Sequence, residues 1–125
     1  MKRAMIILLC LLISGCSSQK KAEYRQITQQ QAMEIMESES GYIILDVRRP
    51  DEFAEGHIPG AVCLPNEQIG TSEPDILPDK KQLILVYCRS GNRSKQASEK
   101  LAAMGYENVM EFGGIITWPG EITRD

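Results

Sequence analysis

Apolar residues fall along the chain in two ways: one unbroken run near the start, Ala4 to Ile13, and then short runs divided by polar segments with helical spacing. From about Glu23 onward these short runs alternate with helical patterns, the order expected of an α/β domain built on a largely parallel sheet. Tyr24 to Ile27 predicts a short first strand. Thr28 followed by Gln31 is a capping-box signal, with Ala32, Ile35 and Met36 on one face of the helix behind it. Tyr42 to Val47 reads as a strand apolar on both faces, as expected of one buried in a parallel sheet. Pro50 fits the first turn of a short helix through Glu55, ended by Gly56. Ala61 to Leu64 predicts a third strand, and Glu73 to Lys80 a loop broken by Pro74 and Pro78. Gln82 to Tyr87 is the longest apolar run after the leader, so it should be the central strand, and it runs straight into Cys88. Ala97, Leu101 and Met104 stand at i, i+4 and i+7, the buried stripe of a helix, and Gly105 is placed to end it. Glu107 to Phe112 predicts the last strand, and Gly113 to Trp118 a final helical turn stopped near Pro119.

The opening sixteen residues stand apart. Basic Lys2 and Arg3, the apolar run and small residues up to Cys16 form the three-part pattern of an export signal. The run is well short of the roughly 20 residues that span a bilayer as a helix. Residues 17–23 are polar and read as a tether, leaving residues 24–125 as the domain. With 125 residues in all, 42% hydrophobic and 25% charged, the chain has material for one core.

Losing Lys2 and Arg3 with the leader changes fourteen basic against seventeen acidic residues into twelve against seventeen. The mature chain is mildly acidic and shows no basic stripe, so no nucleic acid is expected as a partner. Of four cysteines, Cys10 leaves with the leader and Cys16 ends it, so Cys63 and Cys88 remain in the domain. An exported pair is open to a disulfide. There is no CxxC and His57 is the single histidine, so no metal site is expected, nor any other cofactor.

Cys88 opens the loop CRSGNRS, Cys88 to Ser94. In α/β sheets, sites form beyond the carboxyl ends of strands. A helix beginning near Asn92 or Ser94 directs free N–H groups and the positive end of its dipole into that loop. Gly91 permits a tight turn in which successive amides converge. Arg89 and Arg93 add positive charge, and together these features favour thiolate over thiol. The plain alternative is a small buried hydrophobe at a strand end.

The same loop resembles the active-site loop of rhodanese sulfurtransferases. Two further stretches are similar to signatures of that family: DVRRPDEFAEGHIPGA, Asp46 to Ala61, and GGIITW, Gly113 to Trp118. Order and spacing agree over about residues 24 to 122. The resemblance implies a rhodanese-like α/β fold with a central, mainly parallel five-stranded sheet flanked by helices. It implies a Cys88 thiolate that attacks the outer sulfur of thiosulfate or a similar sulfane donor, releases sulfite, and passes the persulfide sulfur to cyanide or a thiol, with ping-pong kinetics. It further implies that loop amides from Arg89 through Ser90, Gly91 and Asn92 to Arg93 surround the persulfide, that Arg89 receives the anionic donor, and that Ser94 hydrogen-bonds the loop. Asp46, Arg48 and Glu52 resemble fixed charged positions of the family and are expected to give structural support as an internal salt-bridge network; His57 is expected to be structural as well, since the loop and helix start can activate the thiol without it. Cys63 is expected as a buried small hydrophobe, with a redox pairing to Cys88 left open, and Trp118 as a cover on the core.

Two other readings remain. Rhodanese-fold phosphatases and arsenate reductases resemble the domain, but their loop is one residue longer, with arginine sixth after the cysteine. Here the sixth position is Ser94 and Arg93 is fifth, which favours sulfur over phosphate. A rhodanese-like module that carries sulfur, or offers a surface to a partner, without enzymatic turnover is the other. Finally, ISGC, Ile13 to Cys16, resembles the lipobox of bacterial lipoproteins. This implies a diacylated Cys16 as the first mature residue, held on a membrane by two acyl chains at the periplasmic or extracellular face of the bacterial cell envelope.

Overall fold

The longest apolar run of the domain is the middle strand of its sheet. In the computed structural model, which describes residues 22–125, strands β1 (Arg25–Gln26), β2 (Ile43–Asp46), β3 (Val62–Cys63), β4 (Leu83–Cys88) and β5 (Asn108–Gly114) form one sheet. Their order is β1-β5-β4-β2-β3, and every pairing is parallel. The expected export leader, Cys16 and most of the expected tether lie outside the described residues. Helices α1 (Gln29–Ser38), α2 (Pro50–Glu55) and α3 (Asn92–Ala103) complete the α/β architecture expected from the sequence.

Side chains alternate across a strand, and that alternation divides the core into two layers. Leu45, Ile84 and Val86 face Ala97 and Leu101 of α3, with Tyr106 and Val109 beside them. Ile44, Leu85 and Tyr87 face the other way, onto Ala32 of α1, Ile58 and Phe112. This two-sided burial is why β2 and β4 are apolar at consecutive positions.

Local signals set the helix starts. The Thr28 hydroxyl accepts from Gln31 N at 3.0 Å while Thr28 N donates to Gln31 Oε1 at 2.9 Å, a complete capping box. Pro50 stands at the start of α2 and Gly56 ends it. The helix α3 begins at Asn92, so Ser94 lies inside its first turn rather than at its start.

The end of β5 differs from expectation. Gly113 and Gly114 belong to the strand, leaving only Ile115–Thr117 for a 3-10 turn. Val86 pairs with Glu111, but Cys88 pairs with Gly114, so two steps along β4 match three along β5. The extra residue is a β-bulge, accommodated by Gly113 at φ +94°. Its effect is to bring Gly114 opposite Cys88.

Candidate active site

Cys88 ends β4, the central strand, with 1% of its surface exposed. Gly91, in the left-handed region at φ +109°, reverses the chain into α3. That reversal brings the Gly91 N–H to 3.0 Å from the Cys88 sulfur. The Cys88 S–H donates to Ser94 Oγ at 3.4 Å, one turn into the helix. Ser94 is fully buried, and its hydroxyl donates to Glu111 Oε2 at 2.5 Å. Glu111, also buried, accepts from Gly113 N at 2.9 Å and from Gln26 Nε2 at 3.2 Å.

The remaining loop residues divide by exposure. Arg89, Ser90 and Asn92 are exposed. The Arg89 carbonyl accepts from Ile116 N at 3.2 Å, which ties the loop to the turn after β5. Arg93 is half-buried, and its guanidinium forms a two-point pair with Glu52, NH1 to Oε1 at 2.7 Å and NH2 to Oε2 at 3.0 Å. Glu52 was expected in a network with Asp46 and Arg48. It instead joins α2 to the cysteine loop through Arg93.

The Arg93 hydrogen bonds, assisted by the Arg49 N–H, hold the Glu52 carboxyl at about 2, although partial burial opposes its charge. A carboxylate depressed on folding adds stability above its ordinary value of about 4.3, and that stability is lost as pH falls through about 2. We therefore expect wild type to melt above Glu52→Gln at neutral pH, with the gap closing between about pH 4 and pH 2. A gap constant over that range, read by thermal melts, would show that Glu52 is not ionically paired.

Asp46 and Arg48 do form a buried pair. Arg48 Nε lies 2.9 Å and NH2 2.7 Å from the Asp46 oxygens, and NH2 also donates to Gly56 O at 2.7 Å. The third member is Tyr87, whose hydroxyl donates to Asp46 Oδ2 at 2.6 Å and accepts from Ile58 N at 3.1 Å. Burial and the Asp46 hydrogen bond push the Tyr87 phenol well above its usual value. Burial works against the Arg48 charge, but the Asp46 bond and charge more than offset it.

His57 lies away from this chemistry. Its ring stacks on Phe53 at 3.7 Å, Nδ1 meets Phe53 O at 2.8 Å, and its backbone exchanges two 2.8 Å bonds with Thr123. It pins the chain end to α2. Trp118 is half-buried against Phe112. Cys63 is half-buried rather than fully buried; its thiol donates to Arg48 O at 3.5 Å, and burial pushes it up. Cys63 and Cys88 are both free. Cys63 pairs with Asp46, which pairs on its other side with Tyr87. Two strand spacings, about 9.5 Å, separate the cysteine positions, beyond the reach of a disulfide without backbone movement. Among the described residues no cluster of three His, Cys, Asp or Glu is placed to hold a metal ion.

Two residues of this site are not apparent from the sequence motifs as motifs of chemistry. Glu111 sits within an apolar strand, and an acid in such a run is the one signal of it. Gly114 packs against the loop itself: a Cβ there would stand 2.0 Å from the Arg89 carbonyl oxygen. The second glycine of GGIITW is where β5 makes room for the cysteine loop.

The chain is similar in sequence and fold to known proteins. Residues 28–118 match the rhodanese-like domain family. The chain is 37% identical over 71 residues to the thiosulfate sulfurtransferase PspE of Escherichia coli, covering 57% of this chain and 68% of that one. It is 34% identical over 98 residues to the thiosulfate sulfurtransferase GlpE of Pseudomonas putida, covering 78% and 86%. Among solved structures, a rhodanese-related protein of Thermoplasma volcanium superposes with a TM-score of 0.69 at 28% identity, over 82% of this chain and all of that one. The family match over residues 28–118, with named sulfurtransferases as relatives and a rhodanese-related protein as a fold neighbour, assigns the chain to the rhodanese-like domain family of sulfurtransferases.

Proposed function

We propose that the protein moves sulfane sulfur from thiosulfate, or a donor of the same chemistry, to a thiol or cyanide through a persulfide on Cys88. The observation that supports this most directly is the sulfur's setting: Sγ at the end of the central strand, with the Gly91 N–H at 3.0 Å and the start of α3 beyond it. A helix start and an inward N–H favour sulfur in its anionic form, before attack and as persulfide. The Cys88 thiolate attacks the outer sulfur of thiosulfate, the S–S bond breaks, and sulfite leaves with the bonding pair. Attack by the acceptor on the outer persulfide sulfur then releases the thiolate again. Arg89, exposed at the loop, meets the anionic donor. Arg93 shapes the loop through Glu52. The protein acts at the bacterial cell envelope, anchored by a diacylated Cys16.

Full-length protein extracted from bacterial membranes in detergent provides the test. After thiosulfate, intact mass should rise by one sulfur atom, removable by reductant and located on the peptide containing Cys88. The same spectrum should show diacylated Cys16 as the first residue, and an unmodified Cys16 would remove the anchor. No mass gain with thiosulfate or other sulfane donors would overturn the sulfur chemistry in favour of a module without turnover. Hydrolysis of a phosphate ester that stops when Cys88 is alkylated would favour the phosphatase reading.

A further inference from the structure

Glu111 is unused by the chemistry above, yet it lies one hydroxyl away from the reacting sulfur. Ser94 has a single hydroxyl proton and two lone pairs. Its proton points to Glu111 Oε2 at 2.5 Å, in preference to the neutral carbonyls of Gly91 at 3.0 Å and Gly113 at 3.4 Å. One lone pair is then free for the Cys88 S–H at 3.4 Å. The three groups form an unbroken line, S–H to O–H to carboxylate, with the serine and both ends buried. The hydrogen-bond partners of Glu111 are all neutral: Ser94, Gly113 N and Gln26.

We propose that Glu111 is the positioning residue that takes the Cys88 proton through Ser94. The thiol proton moves to Ser94 Oγ as the serine proton moves to Glu111 Oε2. Thiol, hydroxyl and carboxylate become thiolate, hydroxyl and carboxylic acid, with no change in net charge and no exchange with solvent. Ser94 then donates to the sulfur it has just relieved. The exchange also clears a buried negative charge from beside a thiolate that must meet a dianionic donor. This rests on Cys88 as the sulfur-carrying nucleophile.

The other ionisable groups around the line are few. Tyr24 precedes β1 and feels Glu99 and Glu111. Lys95 of α3 lines a cavity with Glu111, Gln26 and Gln29. Arg93 is within reach of the Cys88 charge but is held by Glu52 of α2, with Arg48 behind it. Arg89 is exposed in the loop.

The test is the pH profile of iodoacetamide alkylation at Cys88, read by peptide mass in the full-length protein, for wild type and Glu111→Gln. Glutamine keeps the size and an oxygen for Ser94 but cannot store the proton. Wild type should alkylate at a rate nearly independent of pH around neutrality, because the internal exchange carries no net proton. In E111Q the plateau should vanish and the rate fall about tenfold per pH unit below a midpoint moved to higher pH, since only thiolate reacts. A carboxylate acting merely as a neighbouring negative charge predicts the opposite, a midpoint moved to lower pH when it is neutralised. That result, or an unchanged profile, would overturn the proposal. If E111Q does not fold, wild-type infrared difference spectra on thiosulfate loading take its place: the carbonyl band of a new protonated carboxyl supports the proton path, and its absence overturns it. A Cys88 that shows this alkylation behaviour yet never gains sulfur would remove the sulfur chemistry alone.

Discussion

Gly114→Ala should reduce the rate of sulfur loading at Cys88 by at least about a hundredfold, the usual cost of displacing reacting groups by about 1 Å. The added Cβ would lie 2.0 Å from the Arg89 oxygen, 2.4 Å from its carbonyl carbon and 2.6 Å from Ser90 Cα. All three are backbone atoms, so no side chain can swing aside. The Arg89 carbonyl is also clamped by Ile116 N just beyond the glycine. Either the loop lifts, carrying the Gly91 N–H off the sulfur, or the end of β5 detaches and takes the Cys88 to Gly114 pairing with it. Overpacking of this kind costs about 1–3 kcal/mol and more where backbone must move. Gly113→Ala is the control. Its Cβ would meet only Gln29 Nε2 at 3.6 Å, and its burden is the positive φ, about 1–2 kcal/mol. It should lower the melting temperature while leaving loading within about tenfold of wild type, a difference of about 1.4 kcal/mol or less. Time courses of intact mass after thiosulfate measure both variants. Loading by Gly114→Ala within tenfold of wild type would show that this contact does not place the loop.

The contrast between the two glycines shows which information lay in the sequence and which did not. Apolar runs at Tyr42 to Val47 and Gln82 to Tyr87 give β2 and β4 because burial on both faces leaves a one-dimensional trace. Thr28 with Gln31, and Pro50 with Gly56, mark helix ends through contacts within a few residues. The position of Cys88 follows from the same local logic, a strand meeting a glycine turn and a helix. Glu52 and Arg93 are 41 residues apart, and no spacing rule joins them. The same holds for Ser94 and Glu111, 17 residues apart, which meet only when α3 packs back onto β5. A bulge leaves glycine in the sequence, but glycine alone does not say which residue it brings opposite Cys88. Gly114 is legible as a glycine and illegible as a contact, since its neighbour is the backbone of a distant loop.

Arg48→Ala should be the most destabilising single change in the buried charge network, by about 3–5 kcal/mol. That is a large share of the roughly 5–15 kcal/mol that holds a domain folded. Asp46 is fully buried and accepts from Arg48 N, the Arg48 guanidinium and the Tyr87 hydroxyl. Removing the guanidinium leaves the carboxylate with one amide and one phenol, and it also leaves Gly56 O without its donor. Buried Tyr87 and Ile58, joined by the Ile58 N–H to the Tyr87 hydroxyl, lie on the other side of the carboxylate. Arg48→Lys keeps the charge but not the fork, so it should recover only part of the loss, about half, as a point charge cannot hold two oxygens and a carbonyl together. Asp46→Asn in the Arg48→Ala background should relieve the stranded charge, making the double variant more stable than the sum of the singles by about 1–3 kcal/mol. Tyr87 directly precedes Cys88, so slack in this network reaches the sulfur, and loading should slow in Arg48→Ala even where the protein remains folded. Urea denaturation at neutral pH measures each stability. An Arg48→Ala loss below about 1 kcal/mol would mean that Asp46 regains solvent, and that the pair contributes no more than an exposed surface bridge.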